Sequence, residues 1–599
     1  MLNLNTKYIN KKIIIRGNFN KSKNQVVNKS IKNILEPKHS NFKNTINVAC
    51  ILDEFSYECF KYECNLVQLG IDNWKDILKQ LKPKFLLVES AWLGINGEWY
   101  SKIANIDMYK NKWIKELTSW CNDHGIPTVF WAKEDPSDFD IFIDSASYFD
   151  YIFTTDINCI PKYKKILNHN NIYLLPFAAQ PKIHNPVNKD SEKKGDIVFA
   201  GGWYEKFDKR KDYINMLLKP AMKYDLTIYD RFYNQDGDLN RFPKTFRPYI
   251  KDSLPYNKIV EEYKKYRLLL NVNSVEESPT TFSRRVFEVL ASGIPIVSSY
   301  SLGIENYFNN IVLLCKTQED VKKSIELFLK NKELADKKSL LGQRKVFRNH
   351  TYKDRFEKIL DILKIDYDNE IEGVSVITCT KRPKNIDNVL NNFLSQSYPK
   401  KELIIILNID SVNIDKLIKK TRNYSNIKVF QLSEKKSLGS CLNFAIDNSK
   451  FEYISKFDDD DYYAPNYLVD MLNAFKYTNA QILGKYSIYA YLEDKKLLAL
   501  RYPDIENRYI DYVSGSTLTF KKEIFNEVRF KDLNRGEDTT FINDSIKKGF
   551  KIYATDRFNH VVCRRSNLDD HSWKISDTEF LKKCNIITKT VDYKSYITI

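Results

Sequence analysis

The stretch YISKFDDDDYYAPNYL, from Tyr453 to Leu468, joins a short apolar run to four adjacent aspartates and then to a helix-like segment. YISKF has the length and composition of a strand, and Pro465 is typical of the start of a helix. We therefore expect Asp458 to Asp461 at the carboxyl end of a strand, where open parallel sheets bind their ligands. The spacing alone is more typical of a solvated loop than of a cation site.

A cation site is the alternative for these aspartates. An Asp-x-Asp spacing allows two carboxylates to bind one divalent ion, and their oxygens suit Mg²⁺ or Mn²⁺. Such an ion would offset the repulsion between the carboxylates and neutralise a departing diphosphate. The surrounding motifs must decide between the two interpretations.

Apolar runs that alternate with helical patterns extend through most of the chain, which is the βαβ rhythm of parallel sheets buried on both faces. They form three series. The first series contains NVACIL (47–52), FLLVE (85–89), PTVFW (127–131) and YIFTT (151–155); the second contains DIVFA (196–200), LTIYD (226–230), LLLNVN (268–273) and PIVSS (295–299); the third contains VSVITCT (374–380), LIIIL (403–407), IKVFQL (427–432) and YISKF (453–457).

These series predict an α/β protein of two doubly wound, Rossmann-type domains followed by a third α/β domain. The predicted boundaries are a basic polar tail at 1–44, domains at 45–190 and 193–365, and a last domain at 372–599. The chain of 599 residues suits about three or four domains.

Composition narrows the function classes. The net charge of +17 favours polyanions in general, but the lysines are dispersed and no nucleic-acid fold signature appears, so we expect no specific nucleic acid partner. The ten cysteines form no CxxC pair, which favours a reducing cytoplasm. Since we find neither a signal peptide nor an apolar run of about 20 residues, we expect any membrane contact to be peripheral, at the inner face.

Polar residues follow the strands of the first series and would converge on one edge of the sheet. They are Asp53 and Glu54, Glu89 and Ser90, Lys133 to Asp135, and Thr154 to Asp156. They suit a cleft for a hydroxyl-rich acceptor, with Asp53 and Asp135 as candidate general bases. The alternative is that they cap the helices that follow.

The segment SPTTFSRRVFEVLASGIPIVSS, from Ser278 to Ser299, predicts a loop, a helix entering at Phe282 and a strand. Arg284 and Arg285 would lie in the first helical turn, where backbone N–H groups and positive charge together can hold a diphosphate. Glu288 could accept hydrogen bonds from a ribose diol. The alternative is a structural ion pair between Glu288 and an arginine.

This segment resembles the donor-binding region of GT-B glycosyltransferases, whose A-x-G-x-P turn Ala291, Gly293 and Pro295 match. The wider run from about Ile46 to Asn310 resembles the spore-maturation, CgeB-like group of bacterial glycosyltransferases. The resemblance implies donor contacts for Arg284, Arg285 and Glu288, and a phosphate loop at Gly201 and Gly202 followed by Arg210. The chain has Thr280 where the retaining enzymes carry a second Glu, so stereochemistry does not carry over.

From Val374 to about Arg565, the order of motifs resembles family 2 inverting glycosyltransferases of the GT-A fold. The motifs are VSVITCTKRP, LSQSYPKKELIII, SLGSCLNFAI, YISKFDDDDYYAPNYL and RGEDTTF. The resemblance implies a general base at Asp538 with Glu537 beside it, donor contacts from Thr380 and Asp459, and a cation at Asp458 and Asp460. It also suggests that His560 completes the metal sphere, although a packed structural histidine is the alternative; Arg564 and Arg565 are phosphate candidates and Asp461 would hold the loop.

Two positions depart from the family 2 pattern. Leu407 and Asn408 replace an acidic pair, for which Asp410 lies close enough to substitute, and Leu442 replaces an arginine before Asn443. The uridine contacts of the family therefore do not carry over directly.

Taken with these resemblances, the sequence predicts a bifunctional glycosyltransferase with a GT-B-like pair of domains and an inverting GT-A domain dependent on Mn²⁺ or Mg²⁺. Each half would use a nucleotide-sugar donor such as a UDP-sugar, and the acceptor would be a cell-surface, spore-coat or protein-linked glycan. Two alternatives are a single active transferase whose other half binds the acceptor, and a non-catalytic protein that binds nucleic acid or teichoic acid.

Overall fold

The computed structural model describes residues 46–106, 112–189, 191–205, 207–235, 240–565 and 575–599. The predicted basic tail at 1–44 lies outside these residues. The described chain forms two α/β units in its first part, which we call the N-terminal half (residues 46–363), and a third in its second part, the C-terminal half (residues 374–599).

The first unit contains a six-stranded parallel sheet in the order β2-β1-β3-β4-β5-β6. Its strands are continuous apolar runs because helices cover both faces. The strands are β1 (Asn47–Ile51), β2 (Asn65–Gln68), β3 (Phe85–Glu89), β4 (Thr128–Ala132), β5 (Tyr151–Thr154) and β6 (Ile172–Leu174), and the described helices are α1 (Glu54–Phe60), α2 (Trp74–Leu81), α3 (Trp113–Asp123), α4 (Phe139–Ala146) and α5 (Ile160–Leu167).

The second unit contains another six-stranded parallel sheet, ordered β12-β11-β10-β7-β8-β9. Its strands are β7 (Gly195–Gly201), β8 (Leu226–Asp230), β9 (Ile250–Lys251), β10 (Tyr266–Asn271), β11 (Ile296–Ser299) and β12 (Leu313–Cys315). Its helices are α6 (Asp208–Ala221), α7 (Tyr256–Tyr263), α8 (Arg285–Ala291), α9 (Leu302–Phe308), α10 (Gln318–Lys330) and α11 (Lys332–Asn349). The helix that follows in the chain, α12 (Tyr352–Leu363), packs back on the core of the first unit.

The third unit is built on a mixed eight-stranded sheet, ordered β15-β14-β13-β16-β22-β18-β23-β21, whose first four strands are parallel. Its strands are β13 (Val374–Thr380), β14 (Lys401–Leu407), β15 (Ile427–Gln431), β16 (Tyr453–Lys456), β18 (Ile482–Gly484), β21 (Arg508–Tyr509), β22 (Thr519–Lys521) and β23 (Ile552–Ala554). Its helices are α13 (Ile386–Leu394), α14 (Asp415–Thr421), α15 (Leu438–Asp447), α16 (Tyr467–Tyr477) and α17 (Glu537–Lys547).

A further five-stranded sheet in the C-terminal half was not predicted. It has the order β17-β24-β19-β20-β25 and includes strands of only two to six residues. Its members are β17 (Tyr462–Tyr463), β19 (Ile488–Leu492), β20 (Leu497–Arg501), β24 (His560–Arg564) and β25 (Cys584–Lys589), with helices α18 (Asp577–Leu581) and α19 (Tyr593–Ile597) beside it. This sheet places β24 directly against the end of the aspartate stretch, since Tyr463 pairs with His560.

The predicted α/β class with parallel sheets is confirmed. Local differences occur where side chains compete with the helix: α8 begins at Arg285 instead of Phe282, because the Ser278 hydroxyl accepts from the backbone N–H groups of Thr280 and Thr281 and holds that stretch as a loop. Likewise, the aspartates are followed by β17 before α16 begins at Tyr467.

The two halves meet through buried polar contacts on helix α11. Arg344 donates two hydrogen bonds to Asp470 of α16, each 2.8 Å. Arg557 reaches Glu506 in its own half at 2.9 Å, and Glu333 and Asp336 in the other half at 2.7 and 3.0 Å. Among the described helices, none combines the length and the apolar composition needed to cross a membrane.

Candidate active sites

Four aspartates at the carboxyl end of β16 form the centre of the C-terminal site. Arg382, after β13, donates through Nε to Asp459 Oδ2 at 3.0 Å and through Nη1 to Asp460 Oδ2 at 2.8 Å. Thr380 also donates to Asp459, and Asn385 Nδ2 lies 3.2 Å from the same carboxylate. The end of β13 thus supplies a hydroxyl, an amide and a guanidinium to the aspartates.

Two side-chain amides, of which that of Asn392 is buried, hold the backbone of the aspartate stretch. Asn388 Nδ2 donates to the carbonyl oxygens of Asp459 and Asp461 at 3.0 and 2.9 Å, and Asn392 Nδ2 donates to that of Asp461 at 2.9 Å. The Asp461 carboxylate turns inward and accepts from Cys563 N of β24 at 3.1 Å. Burial and the neighbouring Asp458 raise the pKa of Asp461 to about 8.

Lys456 connects the aspartates to the predicted general base. Its ammonium is bonded to Asp458 and lies 3.4 Å from the Gly515 carbonyl oxygen. Burial opposes the charge of Lys456, but the carboxylates of Asp458, Asp538 and Glu537 raise its pKa well above the usual range. The charge of this buried lysine is therefore stabilised by carboxylates that lie some eighty residues apart in sequence, of which Asp458 forms the ion pair.

Asp538 lies in the first turn of α17 and packs over Gly515. A Cβ atom on Gly515 would stand 1.6 Å from Asp538 Oδ2 and 2.6 Å from its Cγ, so only a glycine leaves room for the carboxylate. Asp538 Oδ1 also accepts from Thr539 N at 2.6 Å. Glu537 is buried beside it, and burial raises its pKa even though Lys456 opposes this.

The other predicted residues of this half lie at the margins of the site. His560 is fully buried, with Nε2 3.4 Å from both Asp461 Oδ2 and Ser516 Oγ; burial lowers its pKa to about 3, so the ring is neutral. Arg565 donates to Asn385 Oδ1 at 3.0 Å, next to Asp459. Asp410 is exposed and accepts from Ser433 Oγ at 3.1 Å.

Negative charge exceeds positive charge in this arrangement. Arg382 and Lys456 face four aspartates together with Glu537 and Asp538, and burial with the adjacent Asp461 raises the pKa of Asp460 to about 7. The chemistry of the donor set fits a hard divalent cation. Within the described residues, no group of three or more His, Cys, Asp or Glu side chains is already arranged around a common metal position.

In the N-terminal half, Asp53 lies in an ion-paired cluster at the strand ends. Lys133 Nζ is 2.7 Å from Asp53 Oδ2 and 3.0 Å from Glu89 Oε1. The backbone N–H groups of Leu93 and Gly94 donate to Asp53 Oδ1 at 3.3 and 2.9 Å. Burial opposes the charge, but Lys133 and these donors together lower the pKa of Asp53.

Asp135 lies deeper than Asp53. Thr154 Oγ1 donates to its carboxylate at 2.6 Å and the Tyr163 hydroxyl at 3.3 Å. Burial raises the pKa of Asp135 to about 7. Of the two predicted bases, Asp135 is the one whose pKa lies near 7. Asp53 is the less buried of the two.

Glu288 and Arg284 form a pair with each other across one turn. Tyr256 donates to Glu288 Oε1 at 3.0 Å, and the Arg284 guanidinium lies 4.2 Å from the ring centroid of Phe55 in the first unit. This is the ion pair that we considered as the alternative to ribose binding. It also places both residues at the junction of the two Rossmann-type units.

Arg210 and Arg285 lie at the carboxyl edge of the second sheet. Arg210 Nη1 donates to Ser274 Oγ at 3.0 Å, but its buried Nε has no acceptor among the described residues. Burial and the nearby charges of Arg285 and Arg231 lower the pKa of Arg210 to about 10. Arg210, Arg285 and Arg231 thus form a group of cations that can hold an anion. Arg231 was not among the predicted residues.

Gly201 and Gly202 end β7 next to these arginines. A Cβ on Gly202 would lie 2.3 Å from the ring of Phe232, and one on Gly201 would lie 3.7 Å from Arg210 Nη2. The bare turn therefore allows an aromatic ring and a cation to approach the backbone closely.

Two family models match the chain. Residues 210–361 match "Glycosyl transferase-like", and residues 375–532 match "Glycosyl transferase family 2". The N-terminal model covers α6 through most of α12, and the C-terminal model covers the aspartates but ends before Asp538.

Curated relatives include poly-β-1,6-N-acetyl-D-glucosamine synthases. That of Staphylococcus aureus strain COL is 25% identical over 201 residues, which is 31% of this chain and 47% of the relative. That of Staphylococcus epidermidis is 26% identical over 208 residues, with the same coverage. The chain thus spans about half the length of the curated relatives it matches.

Solved structures with a partial likeness include TarS 1–349 of S. aureus, with 20% identity, a TM-score of 0.26, and coverage of 32% of this chain and 60% of the other. The mannosyltransferase PcManGT of Pyrobaculum calidifontis, solved with GDP-Man and Mn²⁺, has 15% identity, a TM-score of 0.26, and coverage of 33% and 57%.

The family matches confirm the predicted enzyme class, since this chain carries a family 2 glycosyltransferase domain preceded by a glycosyl transferase-like region.

Proposed function

We propose that the protein is a bifunctional glycosyltransferase that uses nucleotide-diphosphate sugars in both halves. The proposed domains are a GT-B pair at 45–190 and 193–365 and a GT-A domain at 372–599. The observation that carries the proposal is that Lys456, which is bonded to Asp458 of the aspartate stretch, and Asp538 of α17 both lie against Gly515. A base and a group of cation-binding carboxylates are the two components that an inverting transfer requires.

In the C-terminal half, Asp538 accepts the proton of the attacking acceptor hydroxyl. Asp458 and Asp460 hold Mn²⁺ or Mg²⁺, whose role is to neutralise the leaving diphosphate. Thr380 and Asp459 contact the donor, while Asp410 takes the position of the acidic residue that usually faces the nucleotide base. His560 supports this arrangement as a neutral, buried side chain against Asp461.

Arg382 and Lys456 keep the carboxylates separated until the substrate binds. Each forms ion pairs that a divalent cation would compete with, so we expect their side chains to shift from the aspartates toward the donor phosphates. Glu537 remains buried near Lys456. Its carboxylate therefore competes with Asp538 for the positive charge of Lys456.

In the N-terminal half, Arg210 and Arg285 bind the donor diphosphate next to Gly201 and Gly202. Arg284 keeps Glu288 ionised, and Glu288 accepts from the ribose hydroxyls. On the facing edge, Asp135 or Asp53 serves as the base on the acceptor. The match of residues 210–361 to the "Glycosyl transferase-like" model supports a donor-binding role for this unit.

The finer assignment concerns the product. The curated relatives are synthases of an N-acetylglucosamine polymer, which supports a glycan as the acceptor. We propose that this glycan is at the cell surface and that the donor is a UDP-sugar. The resemblance to the CgeB-like group favours a spore-coat or protein-linked glycan. We propose a cytoplasmic enzyme whose basic surface contacts the inner face of the membrane.

A donor screen tests the proposal. The full-length protein is incubated with UDP-, GDP- and CDP-sugars and Mn²⁺, and nucleotide release is measured for the wild type, Asp460→Ala and, as a control, Asp447→Ala at an exposed ion pair. We expect EDTA and Asp460→Ala, but not Asp447→Ala, to abolish turnover by the C-terminal half. If that turnover survives both treatments, the metal assignment is wrong.

Separate inactivation of the halves distinguishes two active sites from one. Asp538→Asn should remove one donor activity and Arg210→Ala the other, each leaving its counterpart intact. If only one variant loses activity, the other half binds the acceptor instead. Salt-sensitive binding of DNA or teichoic acid with no binding of any nucleotide sugar would favour the polyanion-binding alternative.

A further inference from the structure

Three tyrosines from separate segments meet beside Asp538, and we call Tyr486, Tyr502 and Tyr512 the tyrosine cluster. The rings of Tyr486 and Tyr502 have centroids 5.2 Å apart at 50°, and those of Tyr486 and Tyr512 are 6.2 Å apart at 89°. The rings therefore enclose a corner instead of stacking flat on one another. Tyr512 is 42% exposed, and the other two are half-buried.

The backbone brings these segments together. Ser514 N donates to the Lys485 carbonyl oxygen at 2.9 Å, which aligns the residues around Tyr512 with those around Tyr486. Val513 packs so closely on Gly484 that a Cβ there would lie 2.5 Å from a Val513 methyl group. The corner is thus fixed by a glycine contact and a backbone hydrogen bond.

Tyr502 is held in an unusual backbone conformation. Its φ of +49° lies in the left-handed region, which bulky side chains rarely adopt and which persists only where the surroundings maintain it. Ser487 Oγ donates to the Tyr502 carbonyl oxygen at 2.5 Å, and the Arg501 guanidinium lies 4.7 Å from the centroid of the Tyr502 ring. This conformation points to a functional reason for the position of the ring.

The cluster lies next to the proposed base. Tyr512 is three residues before Gly515, over which the Asp538 carboxylate packs. Burial and the charge of Asp538 raise the pKa of Tyr512, so the phenol stays neutral. Lys456 and Asp538 both lie against Gly515, whereas the expected donor contacts Thr380 and Asp459 bond to each other and to Arg382, so Tyr512 adjoins the Gly515 side of the site.

We propose that the tyrosine cluster is the acceptor subsite of the C-terminal half and that the acceptor is a cyclic sugar whose apolar ring face stacks on Tyr512. This rests on the proposed function, because Asp538 must be the base that receives the proton of the acceptor hydroxyl. Aromatic rings provide large, rigid contact area with a polar edge. A sugar ring offers both a C–H face for the ring and hydroxyls for the rim, whereas an acyclic polyol or a serine side chain offers no such face.

The test compares transfer with donor hydrolysis in the full-length protein. Once the screen has identified the donor, transfer is measured to a panel of 4-nitrophenyl hexosides and N-acetylhexosaminides and to the acyclic polyol sorbitol. The variants are Tyr512→Ala, Tyr512→Phe and the control Tyr424→Ala, since Tyr424 is 41% exposed and lies after α14, away from the site.

We expect Tyr512→Ala to raise the acceptor KM about tenfold, which corresponds to ~1.4 kcal/mol, and to leave donor hydrolysis without acceptor unchanged. Tyr512→Phe and Tyr424→Ala should keep the wild-type KM, and sorbitol should be a poor acceptor. If the wild type transfers sugar and Tyr512→Ala has a normal acceptor KM, or if sorbitol serves as well as the glycosides, the subsite assignment is wrong. If the wild type hydrolyses no donor at all, the proposed function fails and the subsite fails with it.

Discussion

The buried pair between Arg344 and Asp470 allows a quantitative test of how the two halves depend on each other. Arg344 belongs to α11 of the N-terminal half and Asp470 to α16 of the C-terminal half, with 10% and 3% of their side chains exposed. Both hydrogen bonds are 2.8 Å. Arg344→Met keeps the length and apolar stem of the side chain but removes the charge.

The expected cost follows from what remains around Asp470. After the substitution, Asn559 Nδ2 at 2.8 Å is the side-chain donor that remains to this carboxylate among the described residues, so an uncompensated charge stays buried. Removing one partner of such a pair costs about 3–5 kcal/mol. The carboxylate can take up a proton instead, which burial already favours by raising its pKa, so the cost should be smaller at pH 6 than at pH 8.

Calorimetric melting of the full-length protein measures this effect. For a domain of this size, about 3–5 kcal/mol lowers Tm by roughly 6–20 °C. Asp470→Asn in the Arg344→Met background removes the buried charge and should recover at least half of that loss. Arg529→Met is the control, since Arg529 pairs with Asp447 where both side chains are about half exposed, and such pairs contribute about 0–1 kcal/mol.

Two results would refute the reasoning. One is a melting temperature for Arg344→Met within 2 °C of that for Arg529→Met. The other is a double variant that melts no higher than Arg344→Met alone. Either result would mean that the contact between α11 and α16 does not stabilise the C-terminal half through a buried charge pair.

Three further predictions concern single side chains. Lys456→Met should lower donor turnover by the C-terminal half at least about 100-fold, because carboxylates that share one buried cation then repel each other; nucleotide release measures it, and wild-type turnover would contradict the role of this lysine. Gly515→Ala should reduce transfer about 100-fold by displacing the Asp538 carboxylate, with a Tm close to that of the wild type; unchanged transfer would show that the carboxylate moves freely. The folded-state pKa of Asp135, at about 7, is raised above its ordinary 3.8, so its contribution to stability is lost as pH rises from about 4 to about 7; melting curves from pH 5 to pH 8 should show a shallower decline for Asp135→Asn, and parallel curves would contradict the assignment.

Strand positions were predictable wherever a strand is a continuous apolar run. FLLVE, LTIYD and VSVITCT coincide with β3, β8 and β13, because parallel strands covered on both faces need uninterrupted apolar side chains. The short strands β17 and β24 were not predicted. Their pairing joins Tyr463 to His560 across nearly a hundred residues. The two residues of β17 carry too little pattern to signal a strand, and β24 ends in the charged residue Arg564 with no alternation of apolar and polar side chains.

The candidate site was predictable in its acidic residues and not in its cations. Asp458 to Asp461 and Asp538 were identified from motif order, whereas Lys456 and Arg382 were assigned no role although both stand inside quoted motifs. A lysine inside an apolar run and an arginine after a strand carry no pattern of their own. Their roles depend on which carboxylates the fold places within hydrogen-bonding distance.

By itself, the sequence determined the α/β class and the positions of the apolar runs that form the parallel strands. It also determined that the aspartates follow the end of a strand. These features follow from local periodicity and composition. The tertiary structure decided which charges meet: Arg382 with Asp459 and Asp460, and Arg344 with Asp470. Coulombic attraction and desolvation depend on distances between side chains far apart in sequence, and only the packed sheets and helices set those distances.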